Sequence, residues 1–183
     1  MSKELPSKKT ALKFLTQTGC SNKVIQHCIA VMKFATQIAK ACKKIGLTVD
    51  MQLVQIGALL HDIGRSRTHT INHVIVGVEI AESLNLPNSV ESIIGCHAGG
   101  GITKKEAEKL GWPIKQYLPK TIEEKIVAYA DKRIDGIRVV KIEQTIKKLS
   151  KELGNTHSTI NRVKKLHYEF SSIIGKLEKN FIT

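Results

Sequence analysis

The sequence contains few aromatic residues, no closely spaced cysteine pair and no long apolar run. Phe, Trp and Tyr together make up 4% of its 183 residues, which is too few for the stacking platforms of proteins that bind single-stranded nucleic acid. Its four cysteines, Cys20, Cys28, Cys42 and Cys96, form no CxxC motif. We therefore expect buried free thiols in a reducing compartment.

The first ten residues, MSKELPSKKT, carry charges and lack the apolar stretch of a secretory signal or a membrane anchor. We expect a cytoplasmic protein without a membrane partner. A chain of this length can bury a core without disulfides or a structural metal, and no repeat or long linker divides it. A single domain over residues 1–183 is the prediction.

Positive charge is in excess, since 29 Lys and Arg residues face 16 Asp and Glu residues and leave a net charge of +13. Such an excess favours anionic partners. Most of it is lysine on predicted solvent faces, where an ordinary solvated surface is the favoured explanation. Nucleotides, nucleic acid and polyphosphate are the anionic partners that the charge admits, and nucleic acid is the secondary one because aromatic residues are few.

Apolar residues recur at helical spacing along most of the chain and predict an all-α fold, a single compact helical bundle. The predicted helices run from about Ser7 to Thr18, Ser21 to Gly46, Asp50 to near Gly64, Asn72 to Asn85, Asn88 to about His97, Thr103 to Leu110, Val140 to Leu153 and Ser158 to Lys179, with another that begins at a Thr121–Glu124 capping box. No segment alternates in the manner of a strand. The three glycines at 99–101 predict an open, mobile loop.

Five polar residues fall on the apolar faces of these predicted helices: His27, His61, His73, His97 and Asp131. An ionised carboxylate at Asp131 would cost several kcal/mol if it were buried without a partner. Each residue alone has an ordinary explanation, because a lone inward histidine is more often a satisfied core residue and Asp131 could pair with Arg133, Arg138 or a lysine elsewhere.

His61 and Asp62 are adjacent at the end of one predicted helix. Neighbouring helical side chains point about 100° apart, so both could bind one ion only if the ion lies between them or the last turn loosens. The remaining histidines, His69, His157 and His167, are interpreted as solvated or packing residues.

A shared divalent cation explains the whole cluster at once. Its proposed ligands are His27, His61, Asp62, His73, His97 and Asp131. Mixed imidazole and carboxylate donors suit one or two ions of Mn, Fe, Co, Ni or Zn and do not suit Ca or a closed thiolate site. Cys28 and Cys96 adjoin two of the histidines, but adjacent helix positions diverge, which disfavours a Cys/His zinc site.

The order of these residues resembles the HD-domain superfamily of metal-dependent phosphohydrolases, in its HDIG-containing branch. The resemblance rests on His27, on His61 and Asp62 within ALLHDIGR, and on Asp131 within AYADKR. It covers about residues 20–140 and implies a helical bundle in which these four side chains hold a first ion. The helices at about 140–180 are expected to cover this core.

The resemblance extends to His73 in INHVIVGVEIA and His97 in GCHAGGG. These are similar to the further ligands of members that hold two ions, in which Asp62 would bridge. In some relatives the same positions contact substrate or leave one metal site empty, so the number of ions stays open.

The function implied is that of a phosphomonoesterase or phosphodiesterase that hydrolyses a nucleotide-like phosphate ester with metal-activated water. His61 and Asp62 would be catalytic, with Asp62 orienting or deprotonating the water. Arg65 and Lys132 would bind phosphate, although each is also readable as a surface charge.

Two other functions remain open from the sequence. One is a di-iron oxygenase of HD type, and the other is a non-catalytic module that binds a nucleotide or nucleic acid. The oligomeric state is also open, with a dimer among the possibilities.

Overall fold

This computed structural model describes residues 3–178, with side chains to residue 173. The described part contains nine α-helices and one short β-hairpin, joined by turns and loops. The helices are α1 (Lys8–Gln17), α2 (Asn22–Lys44), α3 (Met51–Leu60), α4 (His73–Ser83), α5 (Asn88–Cys96), α6 (Lys104–Lys109), α7 (Ile122–Lys132), α8 (Ile142–Leu153) and α9 (Ser158–Glu178). The all-α prediction is confirmed. The predicted end of the last helix at Lys179 lies outside the described residues.

Side-chain caps fix the helix starts close to the predicted positions. Ser7, Ser21 and Asp50 each accept a hydrogen bond from the backbone N–H three residues later. Thr121 accepts from the Glu124 N–H, and the Glu124 carboxylate accepts from the Thr121 N–H, which confirms the predicted capping box. These caps satisfy backbone donors that the helices leave unpaired.

The core is built around α2, whose apolar face packs on α3 and α7, while α5 packs on α3 and α4. All four cysteines are buried and unpaired, as expected. Within the described residues, no helix has the length and apolar character needed to cross a lipid bilayer. This packing brings the ends of α3, α5 and α7 next to the starts of α2 and α4.

The triple-glycine segment is packed, so the prediction of an open loop is wrong. Ala98–Gly100 forms a 3₁₀ turn, and Gly100 and Gly101 are buried. Helix α9 covers the turn so closely that a Cβ on Gly99 would lie 3.2 Å from Thr159 and one on Gly100 would lie 3.3 Å from Arg162. The sequence indicated the break in the helix, but it did not show that a distant helix lies over it.

A hairpin follows α7 and was not predicted. Its strands are β1 (Ile134–Asp135) and β2 (Arg138–Val139), antiparallel, with Ile134 opposite Val139. Two-residue strands carry too little alternation to be detected in a sequence. The hairpin turn matters to the site, because the Gly136 carbonyl accepts a hydrogen bond from His27.

Glu106 joins α6 to α9, and we expect its loss to destabilise the protein. Its carboxylate accepts hydrogen bonds from Ser158 Oγ at 2.5 Å, Thr103 N at 2.8 Å and Arg162 Nη2 at 3.1 Å. Partial burial raises the pKa of Glu106, but these donors outweigh it and lower the pKa to about 2. The stabilisation is therefore complete above about pH 4.5, the unfolded value, and is lost as the pH falls towards 2.

Glu106→Gln should lower the free energy of unfolding by about 1–3 kcal/mol at pH 7, and by less at pH 3, in urea denaturation. Glu108→Gln is the matched control, since Glu108 is exposed on the same helix, and it should change stability by less than about 0.5 kcal/mol. Equal losses of unfolding free energy in the two variants would contradict the role of Glu106 in joining α6 to α9.

Candidate metal centre

The structure brings the six proposed ligands to one place from five helices. His27 lies on α2, His61 caps α3, His73 begins α4, His97 caps α5 and Asp131 lies on α7. The sixth, Asp62, follows His61. Ring centroids are 5.5 Å apart for His27 and His61, 4.9 Å for His61 and His97, and 5.2 Å for His73 and His97.

The backbone loosens at the His61–Asp62 pair, as joint ligation requires. Helix α3 ends at Leu60, and His61 keeps helical dihedral angles (φ −53°, ψ −35°). Asp62 departs from them (φ −104°, ψ 16°) and leads into a 3₁₀ turn, Ile63–Ser66. Both side chains therefore reach the same space, where His61 is 0% exposed and Asp62 is 4% exposed.

All four histidines are oriented by a backbone carbonyl. Nδ1 lies 2.7–2.8 Å from the carbonyl oxygens of Gly136 for His27, Ala58 for His61, Thr70 for His73 and Ile94 for His97. A carbonyl oxygen can only accept, so each Nδ1 carries the proton and donates it. Each Nε2 is thus turned towards the centre, where it can ligate a metal ion once it carries no proton, which is how metal-binding histidines are held.

The imidazole Nε2 atoms and carboxylate oxygens that point into the centre form two neighbouring groups. In the first, Asp131 Oδ1 lies 3.1 Å from His27 Nε2 and 3.5 Å from His61 Nε2. In the second, Asp62 Oδ1 lies 3.2 Å from His73 Nε2 and 3.5 Å from His97 Nε2. His61 Nε2 is also 3.7 Å from Asp62 Oδ2, so it adjoins both groups.

These atoms fit a divalent cation better than they fit one another. Among the described residues, His61 Nε2 and Asp62 Oδ1 are buried without a hydrogen-bond partner, which is costly unless something else satisfies them. The lone pairs of His73 Nε2 and His97 Nε2 face each other at 3.2 Å. A cation between such donors removes both problems, and the nitrogen and oxygen mixture suits a transition metal.

The electrostatics of the centre also favour a cation. Burial raises the pKa of Asp62 and of Asp131, but His61 lowers the first and Lys132 and His27 lower the second, so both pKa values lie well below the usual range. Burial tends to lower the pKa of His61, yet the Asp62 carboxylate holds it well above its ordinary value. The pKa of His97 is lowered to about 4, mainly by burial. Two ionised carboxylates therefore attract positive charge, and His97 is neutral at pH 7.

Arg65 and Lys132, the predicted phosphate ligands, each hold one of these carboxylates. Arg65 Nε lies 2.6 Å from Asp62 Oδ2, and Lys132 Nζ lies 2.6 Å from Asp131 Oδ2. The cationic side chain that pairs with Asp131 is thus the adjacent Lys132, and not Arg133 or Arg138. The side chains are 30% and 19% exposed, which places both cations at the mouth of the centre.

Two cavities meet at this mouth, and sequence reasoning did not identify the residues of α8 that line them. A polar cavity of 610 Å³ lies beside His27 and Asp131, and a more apolar one of 480 Å³ lies beside His73 and His97. Helix α8 contributes Leu149 and Glu152 to both cavities. It also contributes Lys148 to the polar cavity and Leu153 to the apolar one. The only signal in the sequence was the apolar stripe of α8, which equally well describes a helix packed on the core.

Several known proteins are similar to this chain. An uncharacterized protein of Methanocaldococcus jannaschii is 48% identical over 155 residues, which cover 85% of this chain and 92% of that protein. A tRNA (cytidine(56)-2'-O)-methyltransferase of Picrophilus torridus is 41% identical over 174 residues, which cover 95% of this chain but 49% of that protein. The chain thus spans about half the length of the methyltransferase. A Ribonuclease Y of Acetivibrio thermocellus is 36% identical over 90 residues, or 48% of this chain and 16% of that protein.

The fold is also similar to that of a solved structure, the HD domain of the L. monocytogenes phosphodiesterase PgpH in complex with cyclic-di-AMP. The TM-score is 0.55, with 18% identity over 95% of this chain and 98% of that one. The model of the HD domain family matches residues 24–134, a segment that contains all six proposed ligands. This chain belongs to the HD-domain family.

Proposed function

We propose that the protein is a metal-dependent phosphohydrolase that acts on a nucleotide-like phosphate ester. Membership of the HD-domain family supports the general class. One observation carries the proposal further: a buried centre of six metal-suited side chains opens beside two cations, Arg65 and Lys132, that suit phosphate. The net charge of +13 agrees with an anionic substrate.

The proposed ligands divide between two ions. His27, His61, Asp62 and Asp131 would hold the first, and Asp62, His73 and His97 would hold the second, with one carboxylate oxygen of Asp62 turned towards each group. A divalent ion at this position would supply Lewis acidity, lowering the pKa of a water molecule and polarising a phosphoryl oxygen.

The chain's own residues would carry out the remaining tasks. Asp62 Oδ1 accepts no hydrogen bond, so in a centre that holds only the first ion it would orient the attacking water and take its proton. With a second ion bound, the same oxygen would be a ligand instead. The Arg65 guanidinium and the Lys132 ammonium would donate to phosphate oxygens and stabilise the charge that grows on them. His61 is 0% exposed and lines neither cavity, so it keeps bulk water away from that side of the centre.

Replacement of Arg65 tests the phosphate-binding role. Arg65→Ala should lower kcat/KM by about 10- to 100-fold, because it removes a charge-assisted hydrogen bond worth about 1.5–3 kcal/mol. Arg67→Ala, a change of the same type at an exposed position two residues away, should change kcat/KM by less than about 2-fold. Steady-state kinetics on one ester with both variants would decide, and equal activities would remove Arg65 from the site.

The general test is a substrate panel for anaerobically purified protein of known metal content. Nucleoside monophosphates, cyclic nucleotides and dinucleoside polyphosphates would be assayed with Mn²⁺ and with chelator. We expect metal-dependent hydrolysis of at least one of them. No turnover on any ester, or loss of substrate only in the presence of oxygen, would contradict the proposal and favour an oxygenase or a binding module.

RNA is a second candidate substrate. The names of two relatives, a tRNA methyltransferase and a Ribonuclease Y, concern RNA, and the charge of the chain suits a polyanion. Metal-dependent cleavage of a short RNA or a tRNA, with binding that weakens steeply as salt rises, would support this candidate. RNA binding with the same steep salt dependence, but without cleavage, would indicate a binding module.

A further inference from the structure

The apolar cavity is directly continuous with the candidate metal centre. His73, His97 and Asp131 form its inner wall, and Arg65 and Lys132 stand at its junction with the polar cavity. If these two cations hold the phosphate of a substrate, the group esterified to that phosphate would therefore extend into either the polar or the apolar cavity.

Large apolar side chains that face solvent surround this cavity. Ile71 and Leu110 are each 39% exposed, and Leu153 is 45% exposed. They come from three separate parts of the chain, namely the segment before α4, the end of α6 and the end of α8, and they line the same cavity. Exposed apolar residues that converge on a concave site mark ligand binding more often than chance exposure does.

The two cavities differ in the share of apolar surface, which indicates what each can bind. Asp135, Lys148 and Gln144 line only the polar cavity, and Ile71, Ile102 and Leu153 line only the apolar one. An uncharged, flat group gains most from apolar walls, because its removal from water is favourable. A charged or heavily hydroxylated group gains more from the polar cavity.

The apolar cavity also offers polar groups suited to the edge of a heterocycle. Thr159 and His157 lie in its lining. The backbone N–H of Thr159 donates to His157 Nδ1 at 3.3 Å, so the ring proton of a neutral His157 is on Nε2, where it can be donated elsewhere. A simple hydrocarbon ring would leave such donors unused, whereas a nucleobase can accept from them.

We propose that this cavity binds the nucleobase of the substrate, and that Leu153 and Leu110 are specificity-determining residues. The inference rests on the proposed function in taking the substrate to be a nucleotide. Leu153 and His157 lie beyond residues 24–134, the segment that the family model matches. Leu110 lies within that segment, so the choice of base would depend on the carboxyl-terminal part of the chain together with Leu110, and not on the metal ligands.

Nucleosides test the base site separately from catalysis, because they bind without a phosphate to hydrolyse. Adenosine, guanosine, cytidine and uridine would be titrated into the Mn²⁺-loaded full-length protein by calorimetry, with ribose and benzyl alcohol as reference ligands. We expect at least one nucleoside to bind more than about 10-fold more tightly than either reference. Nucleosides that bind no better than ribose, or no better than benzyl alcohol, would overturn the proposal.

Matched variants locate the site. Leu153→Asn should weaken binding of the preferred nucleoside by about 5- to 10-fold, and Leu110→Asn by a similar factor. Leu47→Asn is the control, since Leu47 is 43% exposed but lies beyond the far end of the 23-residue helix α2, away from the cavity. Equal effects of Leu153→Asn and Leu47→Asn would contradict the assignment.

The two proposals fail in different ways. Hydrolysis of phosphate esters without nucleoside binding would overturn the base site and leave the phosphohydrolase intact. Nucleoside binding that Leu153→Asn weakens, with no hydrolysis of any ester, would support the base site and overturn the proposed reaction.

Discussion

Asp62→Ala is expected to lower kcat by about 10³-fold or more and to release the bound metal. Asp62 is 4% exposed and lies against both groups of ligands: its Oδ1 faces His73 and His97, and its Oδ2 lies 3.7 Å from His61 Nε2 and accepts from Arg65. Without this carboxylate, His73 and His97 lose the anion that they share, and Arg65 loses its carboxylate partner. His61→Ala should have a comparable effect, because His61 adjoins both groups of ligands.

Metal content by mass spectrometry and turnover on one ester would be measured together. Asp135→Ala is the matched control, since Asp135 lines the polar cavity but its side chain is 72% exposed. This control should keep its metal and at least about half of its activity, as expected for a surface substitution away from the chemistry. Full metal content and activity in Asp62→Ala would remove Asp62 from the mechanism.

Gly64→Ala should be the most damaging change to the fold. A Cβ at this position would lie 2.0 Å from the His73 carbonyl oxygen and 2.6 Å from the Gly77 nitrogen. Both are backbone atoms of α4, so the clash can be relieved only if the helix moves and takes His73 with it. We expect a loss of about 3 kcal/mol or more in the free energy of unfolding, together with loss of metal binding.

Two other glycine variants make this result interpretable if Gly64→Ala does not accumulate as a folded protein. A Cβ on residue 77 would lie 2.8 Å from the Cγ2 methyl of Ile94, a side-chain atom that can shift more easily than a backbone atom, so Gly77→Ala should cost about 1–2 kcal/mol. In Gly95→Ala, on α5, the nearest atoms are 3.6 Å away, so stability should change by less than about 1 kcal/mol and could rise through helix propensity. Similar stabilities of all three variants in urea denaturation would contradict the close approach of α4 to Gly64.

The sequence predicted local features well because they depend on local interactions. Ser21, Asp50 and Thr121 cap helices within the span of one turn, and apolar spacing marked the inward faces of α2 and α7. The same spacing placed His27 and Asp131 on inward faces, although they are 104 residues apart in the chain and in contact in the fold. Periodicity showed that these residues face inward, and the resemblance indicated that they meet.

What the sequence could not predict depends on tertiary packing. Nothing local to the glycines at 99–101 indicates that α9 lies over them, and nothing in the stripe of α8 indicates that Leu153 lines a cavity beside a metal centre. The carbonyl partners of the four histidines were also hidden, since Gly136 belongs to a hairpin 109 residues from His27. An apolar stripe shows that a face will be covered, but not by what.

Anomalous diffraction from crystals grown with Mn²⁺ would test the central claim most directly. We expect a strong peak for the first ion at about 2.0–2.3 Å from Nε2 of His61 and from a carboxylate oxygen of Asp62 or Asp131, and a second peak if the other site is filled. His27 should complete the first site, and His73 and His97 the second if it is filled. Absence of any peak between these side chains at millimolar Mn²⁺, with ordered rings and carboxylates in the same map, would contradict a metal centre in this protein.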